Sequence, residues 1–433
     1  MSTSVRRASA RIRGVVAVSV ALLLGATGLA GGPPAGAAPS APAAPAAPAA
    51  APGDDPFYTP PSPLTGNPGD VIRSRASVFT LDPITRSPAP GVTATQVLYR
   101  STSATGGANA VSGTVLVPTA PWSGRGSRPL VTYAPGTRGV GDICAPSYVM
   151  TQGTDYEGLF VAGLLARGWA VAVTDYEGLG TPGEHTYVVG QSEGRAVLDM
   201  ARAAQRLPGT GLSASTPVGL MGYSQGGGAT GWAAQLEPTY APELDVRGVV
   251  AGGVPGDLTA VADFVDGGPF VIFELLAGIG LDAAYPELDL DSYLNDRGQA
   301  LMEAKDSACL VNVAELDVLL ETLVGTLFSG IDDYTTSNPL DTPEWQARLA
   351  ENKLGGTKPQ APVYMYHGII DEIVPLRQAA QLRRTWCNRG ANVTWSVRPG
   401  EHAITLVEGY ASAAHWLDAR FDGYRTWSNC WLP

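Results

Sequence analysis

Short apolar runs recur through the middle and end of this chain, separated by longer stretches of helical or small-residue character. Residues 129–134, 169–174, 217–221, 246–251, 362–366 and 393–397 are such runs, and each reads as a strand. Between them, residues 156–166, 193–207, 226–236 and 404–419 carry a helical pattern, and Pro208-Gly209 stops the second. Apolar strands alternating with helices predict an α/β fold, with a mostly parallel central sheet and flanking helices on both faces. Ahead of this core, residues 93–117 read as leading antiparallel strands that turn near Gly106-Gly107.

The alternation fails over residues 256–358. Two stretches there, 270–276 and 316–328, read as helices with acidic and Gly/Pro breaks between them. The insertion follows the carboxyl end of a strand, where open sheets keep their ligand sites, and so predicts a helical cap or lid. A helical pack elsewhere on the surface is the alternative. The predicted division is a leader over 1–37, an Ala/Pro-rich linker over 38–56, core over 57–255, cap over 256–358 and core again over 359–433.

The leader changes the picture of location. Arg6, Arg7, Arg11 and Arg13 precede an apolar stretch over 15–29, and Ala35-Gly36-Ala37 offers a cleavage site. That is the pattern of a signal peptide, so the mature chain is expected outside the cell, with no stable membrane span; an uncleaved anchor is the alternative. The formal net charge of −12 falls to about −16 without the leader arginines, which argues against nucleic acid or anionic membranes as partners. Four cysteines in an exported chain suggest two disulfides, and order along the chain favours Cys387 with Cys430 and Cys144 with Cys309. None has metal-ligand spacing.

The chemistry sits at Gly222-Tyr223-Ser224-Gln225-Gly226. A strand precedes it and a small-residue helix follows, so Ser224 is expected on a sharp, strained turn that exposes its hydroxyl as a nucleophile. The chain has 53 glycines, and a bare motif of this kind arises by chance; the flanking strand and helix argue against chance. A serine hydroxyl needs a base and the base needs an orienting carboxylate. His402 follows the last predicted strand and is the expected base, and Asp371, in His367-Gly368-Ile369-Ile370-Asp371-Glu372, is the expected orienter. Glu372 is then a supporting or solvated neighbour, His367 a packing or loop-bracing residue, His185 a residue near the mouth, and His415 a structural residue of the last helix. Asp175 and Glu177 are expected to brace their turn. The backbone N–H of Gln225 is the expected oxyanion donor, joined by that of Arg138 or Thr137 in the loop Pro135-Gly136-Thr137-Arg138-Gly139, for which an ordinary turn is the alternative. These roles imply acyl transfer with no metal or organic cofactor.

With these residues in view, the chain resembles the secretory lipase family of the α/β-hydrolase fold, which includes fungal acid-stable and secreted actinobacterial lipases. The resemblance rests on Cys144-Ala145-Pro146-Ser147-Tyr148, Asp175-Tyr176-Glu177-Gly178, the Ser224 turn, Tyr240-Ala241-Pro242-Glu243-Leu244, Gly252-Gly253-Val254-Pro255, Asp371-Glu372-Ile373-Val374-Pro375 and Gly400-Glu401-His402. It implies a Ser224-Asp371-His402 triad, hydrolysis of carboxylic esters and often of triacylglycerol, a cap carrying an acyl tunnel, and bridges like Cys144–Cys309 and Cys387–Cys430. In fungal relatives an aspartate supplies the second oxyanion N–H; the position nearest by spacing from Cys144 is Arg138, a departure that a backbone donor tolerates. A triacylglycerol lipase that touches a lipid–water interface is thus the first expectation. A broad carboxylesterase for short-chain or aryl esters is the second, and a catalytically silent binding protein of the same scaffold the third.

Overall fold

The computed structural model describes residues 49–306, 309–310 and 324–431. The leader, most of the Ala/Pro-rich segment and most of the helix expected over 316–328 lie outside the described residues. Within the described part of the Ala/Pro-rich segment, Pro52–Asp54 forms a short 3₁₀ turn and the Asp55 carboxylate pairs with Arg75 at 2.5 Å.

Nine strands form one sheet. They are β1 (Val71–Ser77), β2 (Val92–Thr102), β3 (Ala108–Pro118), β4 (Leu130–Ala134), β5 (Ala170–Thr174), β6 (Val218–Tyr223), β7 (Val246–Gly252), β8 (Val363–Gly368) and β9 (Val393–Arg398). Their spatial order is β1-β2-β3-β5-β4-β6-β7-β8-β9. The contacts of β2 with β1 and β3, and of β3 with β5, are antiparallel; β5 to β9 pair in parallel. Every residue of β4, β5, β6 and β8 is buried, as strands covered on both faces must be.

The period-two alternation of these strands sorts their side chains into two cores. Leu130, Leu220, Val249 and Met365 face one way, against α3 (Gly190–Arg206), α4 (Gln225–Tyr240) and α9 (Leu376–Asn388). Val131, Met221, Val250 and Tyr364 face the other, against α1 (Pro146–Gln152), α2 (Gly158–Leu165) and α10 (His402–Phe421).

The insertion builds a third core of its own. It holds α5 (Leu258–Val265), α6 (Ile272–Ala284), α7 (Asp296–Ala304) and α8 (Pro343–Glu351), whose apolar faces meet Tyr187, Val188 and Val189 of the sheet domain. The two ends of the insertion are stitched together where Leu354 N–H donates to Gly256 O at 2.9 Å. A disulfide joins Cys144, beyond β4, to Cys309 in the insertion, and a second joins Cys387 on α9 to Cys430. Among the described residues no helix is long and apolar enough to cross a membrane.

Candidate active site

Ser224 occupies the single residue between β6 and α4, at φ 58° and ψ −122°. A non-glycine residue held there costs on the order of 1–3 kcal/mol, so its surroundings must over-determine it. They do so by close backbone approach. A Cβ at Gly226 would lie 1.9 Å from Ala134 O, and one at Gly222 would lie 2.3 Å from Gly226 O. The glycines let the turn press against β4, and Ser224 N–H donates to Gly252 O at 3.0 Å. The strain is thereby fixed in place and the hydroxyl faces out of the sheet edge.

His402 meets it from α10. Its Nε2 lies 2.9 Å from Ser224 Oγ, and its Nδ1 lies 2.8 Å from Asp371 Oδ2. The helical pattern reads from residue 404, but the helix begins two residues earlier at His402, and its N-cap Glu401 accepts from Ala403 and Ile404 N–H. This placement fixes the ring further. The backbone N–H of His402 donates to Glu372 Oε2 at 3.0 Å, and its backbone carbonyl accepts from the Tyr223 hydroxyl at 2.6 Å. Asp371 is held by the N–H groups of Ile373 and Val374, both donating to Oδ1.

The electrostatics follow from this geometry. Burial opposes charge on His402, but the charge and hydrogen bond of Asp371, with Glu372 and Glu401, outweigh it and lift the imidazole above its ordinary pKa. Burial works against the Asp371 carboxylate too, and the His402 charge and hydrogen bond hold it below the usual range. Burial lifts Glu372 to about 7 despite the His402 N–H.

The neighbouring loops fix the backbone donors. Gly136 N–H donates to Glu157, and Glu157 and Asp155 clamp the buried Arg138 guanidinium at 3.0 and 2.7 Å. The Thr137 hydroxyl meets Tyr187 at 2.8 Å. The N–H groups of Thr137 and Arg138 are engaged by no protein group among the described residues. Gln225 N–H opens α4 and so lacks an intrahelical acceptor. The Gln225 side chain is pinned by donation to Glu193 Oε1 at 2.7 Å and a contact with His185 Nε2 at 3.1 Å. Burial raises Glu193 to about 8 and lowers His185 to about 4, so both are neutral near pH 7.

His185 is therefore a buried support of Gln225, where it was expected near the mouth. His367 braces the loop through Val374 O at 2.8 Å and lies 3.4 Å from Asp371. His415 is on the exposed side of α10, not in a packed position. Asp175 accepts from Ser112 and Ser147, with burial lifting it to about 6, and Glu177 accepts from Ser192. Glu157, Glu193 and Tyr223 gave no reading in the sequence, because their partners lie 19 to 179 residues away. Among the described residues no group of three or more His, Cys, Asp or Glu could hold a metal ion.

Ser224 and Gln225 line a cavity that they share with the insertion. Its wall is mostly apolar and comes mainly from the insertion, with Leu258 and Val261 of α5, Phe273 and Leu281 of α6, Leu301 of α7 and Trp345 of α8, joined by Tyr187, Val188, Ile373 and Val374 of the sheet domain. The site's polar half therefore belongs to the sheet domain and its apolar half mainly to the insertion.

The strand order and the serine elbow define an α/β-hydrolase. The family model described as secretory lipase matches residues 144–429, and the chain belongs to that family. It is 33% identical to a Mycobacterium tuberculosis protein named a probable inactive lipase, over 86% of this chain and 83% of the relative. It is 30% identical to a secreted triacylglycerol lipase of Malassezia globosa, over 88% of this chain and 81% of that one. Among solved structures, Candida antarctica lipase A in its closed state superposes with a TM-score of 0.77 at 29% identity, covering 89% of this chain and 90% of that one. The chain is thus a secreted lipase of ester-hydrolase type, and lipid esters are its substrate class.

Proposed function

We propose that the protein hydrolyses acylglycerols, triacylglycerol foremost, through an acyl-enzyme on Ser224. One observation carries this: an unbroken Ser224–His402–Asp371 hydrogen-bond chain, 2.9 and 2.8 Å long, opens onto an apolar cavity. His402 Nε2 takes the Ser224 proton as Oγ attacks the ester carbonyl. The N–H groups of Gln225 and of Arg138 or Thr137 receive the developing oxyanion. His402 then gives its proton to the leaving glycerol oxygen, and the acyl chain remains in the cavity. Water, deprotonated by the same histidine, attacks the acyl-enzyme and releases the fatty acid. Asp371 stays ionised throughout and stabilises the imidazolium.

Half-exposed Phe264, Phe328, Ile369 and Ile370 supply apolar surface for transient contact with a lipid–water interface. The M. tuberculosis relative's name favours a second reading, a silent scaffold. The alignment of Ser224, His402 and Asp371 argues for the active one. The test compares wild type with Ser224→Ala on emulsified long-chain triacylglycerol and on a soluble short-chain ester. Serine-dependent turnover of the emulsion supports a lipase. Turnover of the soluble ester alone makes the protein a carboxylesterase, and no serine-dependent turnover of either favours the silent scaffold.

A further inference from the structure

The apolar cavity contains one group that does not belong in a hydrocarbon sleeve. Among the described residues, Glu274 on α6 is the only acidic or basic side chain in its wall, and the residue is 8% exposed. Its Oε2 is buried and, among the described residues, has no hydrogen-bond partner, nor does its carboxyl make an ion pair there. Leaving a buried polar atom unpaired is expensive, so a retained one signals a role the protein alone does not complete.

The surroundings make this carboxyl a hydrogen-bonding group and not a counter-ion. The charged neighbours acting on it are all acids: Asp263 on α5, Asp266 at its end, and Asp332 in the following turn region. Burial first, and then these three acids, lift its pKa to about 8. Near neutral pH it carries its proton, so its O–H can donate and its C=O can accept. Asp266 is itself occupied, receiving the N–H of Ile331 at 2.9 Å.

We propose that Glu274 is a specificity-determining residue whose carboxylic acid hydrogen-bonds an oxygen function on the acyl chain, so that the cavity selects hydroxylated or otherwise oxygenated fatty acyl esters over plain hydrocarbon ones. This rests on the reading of the cavity as the acyl site. A hydroxyl at the right depth completes the valences of Glu274, whereas a plain chain leaves them unmet against CH₂ groups. A site built to pair a polar group discriminates against the analogue that lacks it.

The test walks a hydroxyl along the chain. Methyl laurate and its mid-chain and terminally hydroxylated analogues are compared with wild type, Glu274→Gln and Glu274→Leu, each checked for an unchanged melting transition. The readout is the ratio of kcat/KM between hydroxylated and plain esters. Wild type is expected to favour one hydroxyl position by about three- to ten-fold, the size of one hydrogen bond. Glu274→Gln keeps a donor and an acceptor and retains most of that ratio, and Glu274→Leu brings it to unity or below. A wild-type ratio near one at every position, or a ratio unmoved in Glu274→Leu, overturns the proposal while leaving the esterase reading intact.

Binding of the same esters to Ser224→Ala, followed by displacement of a fluorescent fatty acid, separates the two failures. Glu274-dependent selectivity in binding without any hydrolysis by wild type supports the subsite and overturns the proposed reaction. No selectivity in either assay overturns the subsite.

Discussion

Around Ser224 the polar groups answer one another. The hydroxyl meets His402, His402 meets Asp371, and Asp371 is filled by backbone N–H groups. The insertion surrounds the same serine with side chains that offer mostly van der Waals contact, and among the described residues its one acidic or basic side chain there, Glu274, keeps a carboxyl oxygen unanswered. The sheet domain thus supplies a preorganised charge arrangement, and the insertion supplies shape. The difference teaches where each kind of change should act: sheet-side substitutions alter the rate for every ester, and cap-side substitutions alter the choice among esters.

The largest expected effect breaks the sheet side. Ser224→Ala or His402→Ala should lower kcat by about 10⁶-fold on every substrate, measured by initial rates on short and long esters in parallel. Asp371→Asn should cost about 10⁴-fold, since the imidazole loses both its oriented tautomer and its stabilising anion. It should also move the acidic limb of the pH–rate profile. His402 must be neutral to act as base, and Asp371 raises its pKa; without that charge, the fall in kcat/KM on acidification begins at lower pH.

On the cap side, Gly278 lines the cavity, and a Cβ there meets none of the described residues within 4 Å. Gly278→Phe should therefore project into the sleeve and take up part of the acyl space. Long-chain activity is expected to fall at least about ten-fold relative to a butyrate ester, the scale of a lost binding pocket in apolar discrimination. Equal losses on both would show that the insertion does not set chain length.

Two smaller effects concern what holds the halves together. Cys144→Ser with Cys309→Ser removes a link spanning 165 residues and should lower stability by about 2–4 kcal/mol in denaturant titration. Glu193 supports Gln225 from within α3, and burial pushes its pKa up to about 8 in the fold from an ordinary 4.5. Between those limits the folded chain holds a proton that the unfolded chain has lost, so stability from this group declines as pH rises through the window. Glu193→Gln keeps the acceptor and removes the titration. Its melting temperature should fall less than that of wild type between pH 5 and pH 8.

Legibility in the sequence divides along the same line. The serine, histidine and aspartate each follow an apolar strand and could be placed from order alone. Strands β4 to β9 were legible as short apolar runs. β1 was not, because Val71–Ser77 is a half-exposed edge strand with Arg73 and Arg75 among its residues, so it has no apolar run to detect. The supports of the site were hidden for a different reason. Glu157, Glu193 and Tyr223 act through partners distant in sequence, and only the folded sheet brings them together. Glu274 did leave a mark: a lone acid within the apolar run 270–276. That run reads equally as the interior of a cap, and only the cavity distinguishes the two meanings.

The central claim is that Ser224 is a nucleophile activated by His402 and backed by Asp371. Its most direct test is labelling with a fluorophosphonate, followed by mass spectrometry of the mature protein and of Asp371→Asn. The account predicts one covalent adduct, on Ser224, formed rapidly in wild type and orders of magnitude more slowly in the variant. A folded wild-type chain that takes no label, or takes it elsewhere, would contradict it.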